Sequence, residues 1–484
     1  MNRLRSWSLR HARGLSTLYR ALSAAAPKLT PVVRWLGRER LEHVLLPMER
    51  SAKSALFGCR MCGQCALSVT GMACPMGCAK EMRNGPCGGV RADGHCEVRP
   101  AQRCTWVDAT EGDARIDPDH TPGWIQRSSP LDQRRAGRST WIEVIAPRPA
   151  AGAAARPAVP DADNESASAR PSAASGPFEA ACREGGFIVT VEIAPPDSPD
   201  PAVLRKRAAL FDGLVDAINI TDGAGANCHM SSVAAASVLA STGLTPVCQV
   251  GCRDRNRIAL QGDVLGAAAL GVRNVLCLTG DDVSQGDHPQ AKPVFDLDAV
   301  SLLHIARGMC DQGQFASGRK LDRAPDLFIG ATVNPFVPPY VDRVANLEKK
   351  IVAGARFIQT QFCFDVALFE DFMHEVRRRQ LHRRTRIIVG VGTLASAKAF
   401  AWMARHVPGV HVPQSLLERI ARADDQKLEG QRACIETIAA LRQIEGVAGV
   451  HVMAYRQEEF VSEIIQASGV LANRRRTLEA GAAS

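Results

Sequence analysis

Eight short runs of β-branched and apolar residues recur through the last three-fifths of this chain, and their spacing leaves few folds open. They are FIVTVE (187–192), DAINIT (216–221), TPVCQV (245–250), RNVLCL (273–278), DLFIGAT (326–332), RFIQTQF (356–362), RIIVGV (386–391) and GVHVMA (449–454). Between them lie longer segments with helical periodicity, such as NRIALQGDVLGAAALG and YVDRVANLEKKIVAGA. Strand alternating with helix requires parallel strands joined by crossover helices. Eight repeats over roughly 290 residues predict a closed (β/α)8 TIM barrel. A doubly wound open sheet is the alternative, but no GxGxxG follows the first run. In a barrel, function sits at the C-terminal ends of the strands. Those ends carry Glu192, Thr221, Asp222, Gln249, the TGDD of 279–282, Asn334, Gln361 and Arg456.

Upstream, residues 146–177 read APRPAAGAAARPAVPDADNESASARPSAASGP, with almost no large apolar side chain. Such a stretch buries too little surface to fold and reads as a linker. The expected organisation is a basic helical arm (1–40), a cysteine-rich domain (41–145), the linker (146–177), the barrel (178–473) and a disordered tail (474–484).

The chain holds 16 cysteines, eight of them between residues 59 and 104. No signal peptide with an apolar core precedes them, and the chain is too long for a small disulfide-stapled domain. The thiols are therefore expected to be reduced, in a cytoplasmic setting. From Cys59 the spacing is C-x2-C-x2-C-x8-C-P, followed by four further cysteines. The opening triplet resembles a ferredoxin run, although the fourth cysteine comes after a longer insert. Zinc sites more often pair C-x2–4-C knuckles and recruit His, and only His95 lies in this stretch. Eight thiols suit one or two iron–sulfur clusters, or structural zinc. Cys59, Cys62, Cys65 and Cys74 form the expected first site, leaving Cys78, Cys87, Cys96 and Cys104 for a second.

Net charge is +9, and the excess is local: residues 1–40 hold eight Arg and one Lys against the single acid Glu39. Such an arm suits a transit peptide, a membrane surface or packing of an amphipathic helix on the next domain. The chain offers no aromatic platform for stacking bases, so nucleic acid is not an expected partner. No apolar run approaches the ~18 residues of a transmembrane helix.

The strand-end pattern resembles the methylenetetrahydrofolate reductase family over roughly residues 178–470. The resemblance rests on VEIAPP (191–196), NITDGAGAN (219–227), VLCLTGDD (275–282), NLEKKIVAGARFIQTQFCFD (346–365) and the Tyr455–Arg456 end. It implies a flavin-dependent oxidoreductase acting on a folate in one-carbon metabolism, including methionine biosynthesis, with NAD(P)H or ferredoxin as electron donor. It makes Glu192 the acid that protonates the leaving nitrogen when the one-carbon bridge of 5,10-methylenetetrahydrofolate opens. Asp281 becomes a catalytic and flavin-side carboxylate. Thr221, Gly223, Ala224, Gln249, Thr279, Gly280, Asn346, Lys349 and Lys350 fall on cofactor-contacting positions, the lysines suiting the diphosphate of FAD more than FMN. Gln361 and Arg456 fall on folate-binding positions. A homo-oligomer is expected.

Residues around 40–145, through FGCRMCGQC, TGMACPMGC and RNGPCGGV, resemble the cysteine-rich partner domain of such reductases in acetogenic and related bacteria. This implies an electron relay, with an electron-transfer protein as a partner, or a scaffold. Departures concentrate on the flavin and nicotinamide side: Thr279 where the bacterial NADH-dependent pattern has Arg, Asp222 for Tyr, Gln249 for His. Two other classes stay open. A folate- or corrinoid-dependent methyltransferase would use the same barrel without the Glu-Pro-Pro site. A non-catalytic barrel would have no reason to keep Glu192, Asp281 and Gln361 together.

Overall fold

A computed structural model describes residues 3–117, 128–147, 174–454 and 457–471. Most of the expected linker, the expected tail and Arg456 lie outside them.

The chain begins with helices α1 (Arg3–Arg10), α2 (Ala12–Ala25), α3 (Thr30–Leu36) and α4 (Arg38–Phe57). The division expected between residues 40 and 41 falls inside α4, which runs straight from the basic arm to the first cysteine. Residues 58–104 contain only short turns and bridges. They lead into α5 (Thr105–Ile116) and, later, α6 (Thr140–Ile145). The buried pair Glu49–Lys53 on α4 stitches this region together: Glu49 accepts from the Ser139 hydroxyl at 2.5 Å and the Thr140 hydroxyl at 2.6 Å at the start of α6.

Helix α7 (Pro177–Glu184) opens the barrel. The strands are β1 (Ile188–Ile193), β2 (Ala217–Ile220), β3 (Pro246–Gly251), β4 (Asn274–Leu278), β5 (Phe328–Val333), β6 (Phe357–Phe362), β7 (Arg386–Gly392) and β8 (Val447–Met453). Each pairs in parallel with its sequence neighbour, and β1 closes on β8. All eight coincide with the expected runs. Between them lie α8 (Pro201–Ala208), α9 (Ser232–Ala240), α10 (Arg257–Ala269), α11 (Ala299–Gln312), α12 (Val341–Val352), α13 (Val366–Arg378), α14 (Ala397–His406), α15 (Gln414–Arg422) and α16 (Gln426–Leu441), with α17 (Glu458–Ala467) following β8. Side-chain caps such as Asn256 on α10 and Asp298 on α11 satisfy the first helical N–H groups.

Helix α7 plugs one end of the barrel. Phe178 is fully buried, edge-on to Phe328 and Phe357 at the N-terminal ends of β5 and β6. With that end filled, the open mouth is at the C-terminal ends of the strands. The cysteine-rich region docks on the same side. Trp106, Val90 and Met82 share a buried cluster with Val337 and Ala345 at the start of α12. Asn84 donates to both carboxylate oxygens of Asp298, and Asn334 after β5 donates to the carbonyl of Gly88 at 2.8 Å.

Candidate functional site

Glu192 is the penultimate residue of β1, and its side chain is 28 % exposed. One carboxylate oxygen lies 3.6 Å from Nε2 of buried His451 on β8. The imidazole is fixed from behind: its Nδ1 lies 2.9 Å from the Thr190 hydroxyl and 3.5 Å from the Gln359 amide. Gln359 in turn exchanges hydrogen bonds with Asn219. Four polar side chains therefore fill one layer of the barrel beneath Glu192, each satisfied by another. That network fixes the imidazole that stands beside the Glu192 carboxylate.

The β2 and β4 loops face each other across the mouth. Asp281 accepts a hydrogen bond from the Gly225 amide at 3.1 Å. Thr221 is buried, and its hydroxyl has no protein partner. Gln249 is buried at the end of β3, and Thr279 and Gly280 are partly covered. Arg253, just beyond β3, braces both loops. It donates to the Gly223 carbonyl at 3.2 Å, and its stem packs so closely on Gly280 that a Cβ there would stand 2.9 Å from its own. Gly223 is constrained by the same guanidinium. Ala224 lies in the tight turn that follows. Gln361 sits at the end of β6, its side-chain oxygen accepting from the Phe362 amide at 3.0 Å.

The two lysines expected at cofactor-contacting positions are covered by protein. Lys349 is buried, and Lys350 points inward, its Nζ 2.6 Å from the Thr332 carbonyl. Burial pulls the Lys350 ammonium down to about 8. Asn346 is buried as well. Lys350 reaches across to β5 at the Thr332 carbonyl, and the start of the same helix carries the docked cysteine-rich region. The first half of α12 lies under it, with Thr110 bonded to Asp342 and Arg343 donating to the Cys87 carbonyl at 3.0 Å. Arg343 is wholly buried, and loss of solvation draws it down to about 10.

The eight clustered cysteines separate into the two expected quartets. Cys59, Cys62, Cys65 and Cys74 line one cavity together with Lys53 and Glu49. Cys78, Cys87, Cys96 and Cys104 line another, with Lys80 and Glu97. Among the described residues no three potential ligands already stand together in metal-binding geometry. The donor set nonetheless fits thiolate chemistry. Backbone N–H groups reach the sulfurs, as from Met61 to Cys59 at 3.3 Å. Leu67 serves Cys65 in the same way, Met76 serves Cys74, and Trp106 and Val107 serve Cys104. The Cys59 thiol is drawn down to about 6, chiefly by a hydrogen bond from Cys74, with Lys53 assisting. It is a thiolate at neutral pH, the form that binds metal. Burial pushes the Cys78 thiol up to about 12, and raises Cys87 and Cys104 as well. Gly63 has φ +72, and a Cβ on it would stand 1.9 Å from the Arg135 carbonyl oxygen. A side chain there would displace the first quartet's turn.

The two halves of the site meet at Lys80. This buried ammonium lies 2.6 Å from Glu97 and donates to the Gly280 carbonyl at 2.7 Å, beside Asp281. Glu97 lies 3.5 Å from the Cys87 sulfur and packs against Gly89, where a Cβ would stand 2.0 Å from the carboxylate. Sequence reading missed Lys80, Glu97, Arg253 and His451. A charge two residues after Cys78 in CAKEM, and a lone histidine inside the apolar run GVHVMA, were the available signals.

Comparison with known proteins places the two regions in families. The family described as methylenetetrahydrofolate reductase matches residues 178–469, and one described as methylene-tetrahydrofolate reductase C terminal matches residues 39–125. "Methylenetetrahydrofolate reductase 2" of Schizosaccharomyces pombe is 26% identical over 270 residues, covering 54% of this chain and 42% of that protein. "Probable methylenetetrahydrofolate reductase (NADPH)" of Caenorhabditis elegans is 24% identical over 249 residues, 50% of this chain and 34% of that one. The chain thus spans less than half the length of these curated relatives. A solved Clostridium thermocellum protein, described as binding two copies of 5-methyl-5,6,7,8-tetrahydrofolic acid, overlays with a TM-score of 0.44 at 14% identity, over 61% of this chain and 99% of that one.

Proposed function

Because the chain belongs to the methylenetetrahydrofolate reductase family, we propose that its barrel interconverts 5,10-methylenetetrahydrofolate and 5-methyltetrahydrofolate. The observation that carries this reading is Glu192 at the barrel mouth, 3.6 Å from a histidine that is itself locked into the interior. The one-carbon bridge of the substrate must open before it accepts hydride, and opening requires a proton on the departing nitrogen. Glu192 stands at the mouth as the acid that would deliver that proton, with His451, backed by Thr190 and Gln359, beside it. Gln361 offers an amide donor and acceptor to the pterin edge. Asp281 places negative charge where the β2 and β4 loops meet.

The mouth also fits a flavin. The unpartnered Thr221 hydroxyl is a buried group that needs a hydrogen-bond partner, and it stands beside the Gly223–Gly225 turn. Thr221, Gln249 and the 279–281 turn would hold the ring system, which when bound supplies the hydride. The cysteine quartets are read as thiolate-metal sites, with iron–sulfur clusters serving as the electron relay and zinc as the scaffold alternative. Lys80 gives the relay a place to act, since it joins the second quartet to the loop bearing Asp281.

Glu192→Gln tests the assignment. The amide keeps the shape and removes the transferable proton. Folate turnover is expected to fall by at least ~10²-fold, the usual contribution of a positioned acid, while flavin binding and reduction by dithionite persist. Full activity, or loss of flavin from the variant, would remove Glu192 from this role.

A further inference from the structure

The basic arm packs only one of its faces. Ala12 and Ser16 on α2, and Val33 on α3, are buried against the cysteine-rich region. The opposite faces keep large apolar side chains in water. Leu18 and Leu22 are 56% and 61% exposed, Val44 and Met48 64% and 61%, and Trp35 84%. The first 48 residues, about a tenth of the chain, hold nearly half of the large apolar side chains left exposed among the described residues. The pairs 18/22 and 44/48 are spaced to lie on one side of their helices. Packing on the neighbouring region accounts for the inner faces and leaves these outer ones without a purpose.

From this arrangement we infer that the arm is a peripheral docking surface for an anionic lipid bilayer. Charge is the first argument, with eight Arg and one Lys against Glu39 in residues 1–40. The same charge opposes a second copy of the chain on this face, since two arms would meet cation to cation. The second argument is pattern. A protein interface gathers its apolar residues into a core and sends charge to the rim. Here the two interleave: Arg40 stands one turn before Val44, on the same side of α4 as Val44 and Met48, Lys28 adjoins Leu29, and Arg34 adjoins Trp35, with these cations exposed. A headgroup layer accommodates that mixture. Apolar tips reach the acyl boundary while guanidinium groups stay with phosphates. The helices are too short and too charged to cross, so the association is one of the surface.

The test is co-flotation of the full chain, metal-loaded as purified, with phosphatidylcholine vesicles with and without phosphatidylglycerol. The chain is expected to float only with the anionic vesicles. The bound fraction should fall ~10-fold when salt is raised from low to several times physiological strength. Leu22→Ser with Trp35→Ser should lose binding even at low salt. Trp402→Ser, which changes another exposed tryptophan on α14, should leave binding intact. Absence of flotation would overturn the inference, as would equal flotation on pure phosphatidylcholine. So would a chain that ignores vesicles but self-associates until Leu22→Ser with Trp35→Ser breaks it up. That last result would make the face an interface between copies.

Discussion

Replacing Lys80 by Met removes the positive member of a pair in which both side chains are nearly inaccessible, 4% and 6% exposed. Solvent screening therefore discounts little of the effect. Glu97 would be left charged and buried, 3.5 Å from the Cys87 sulfur. Breaking a buried pair from one side costs about 3–5 kcal/mol. The lost charge-assisted bond to the Gly280 carbonyl belongs to the same desolvation and adds no separate full amount. Lys80→Met is thus expected to lower unfolding free energy by about 3–5 kcal/mol. Lys80→Met with Glu97→Leu removes both charges and should recover about half of that loss or more. The assay is urea unfolding of the two single variants and the double variant, with metal content measured in each. A second readout is folate turnover, which should fall in Lys80→Met because the Gly280–Asp281 loop loses its anchor. Lys80→Met within ~1 kcal/mol of the parent would refute the claim that Lys80 ties the cysteine-rich region to the Gly280 loop, and a double variant with purely additive losses would refute the coupling of Lys80 to Glu97.

Three further outcomes follow from the geometry. Asp113 on α5 is pushed up to about 7, by burial first and then by Asp342, which is itself raised to about 6 by burial. A carboxyl whose folded pKa is raised takes up its proton more readily when folded. Stability should therefore decline as pH rises from about 4 to 7, and Asp113→Asn should flatten that decline and stabilise by on the order of 1–3 kcal/mol at pH 8 in thermal unfolding. Cys59→Ser should cost the first quartet its metal and leave the second loaded, with Cys87→Ser giving the reverse; elemental analysis that finds both lost together in either variant would contradict two separate sites. In metal-free protein Cys59, drawn down to about 6, should be alkylated well before Cys78, pushed up to about 12, as peptide mapping would show.

The barrel was legible because its strands are buried on both faces, so each reads as a short apolar run bounded by helical periodicity. The positions of Glu192, Gln249, Asp281 and Gln361 followed from the rule that strand ends face the mouth, and the structure puts all four there. Spacing singled out Cys59, Cys62, Cys65 and Cys74 and left the other four over; in the structure each set of four lines its own cavity. The lysines of α12 were not legible. The family resemblance puts Lys349 and Lys350 on cofactor-contacting positions, but only tertiary structure reveals that Lys349 is buried, that Lys350 reaches the Thr332 carbonyl, and that the cysteine-rich region lies over the start of their helix through Arg343 and Asp342. Lys80 and Glu97 were hidden for the same reason. Each is an ordinary charged residue in a loop; the meaning of Lys80 comes from a partner 200 residues away, at Gly280, and that of Glu97 from Lys80 itself.

The most direct test of the account is an anaerobic absorption spectrum of the full chain, recorded as purified, after 5-methyltetrahydrofolate and after dithionite. The account predicts a flavin band that 5-methyltetrahydrofolate bleaches, and a broad thiolate-to-iron band that dithionite reduces. A flavin band bleached by folate without any iron band would keep the reductase and recast the quartets as zinc scaffolds. No flavin band in protein supplied with flavin, or a bound flavin indifferent to the folate, would contradict the central claim.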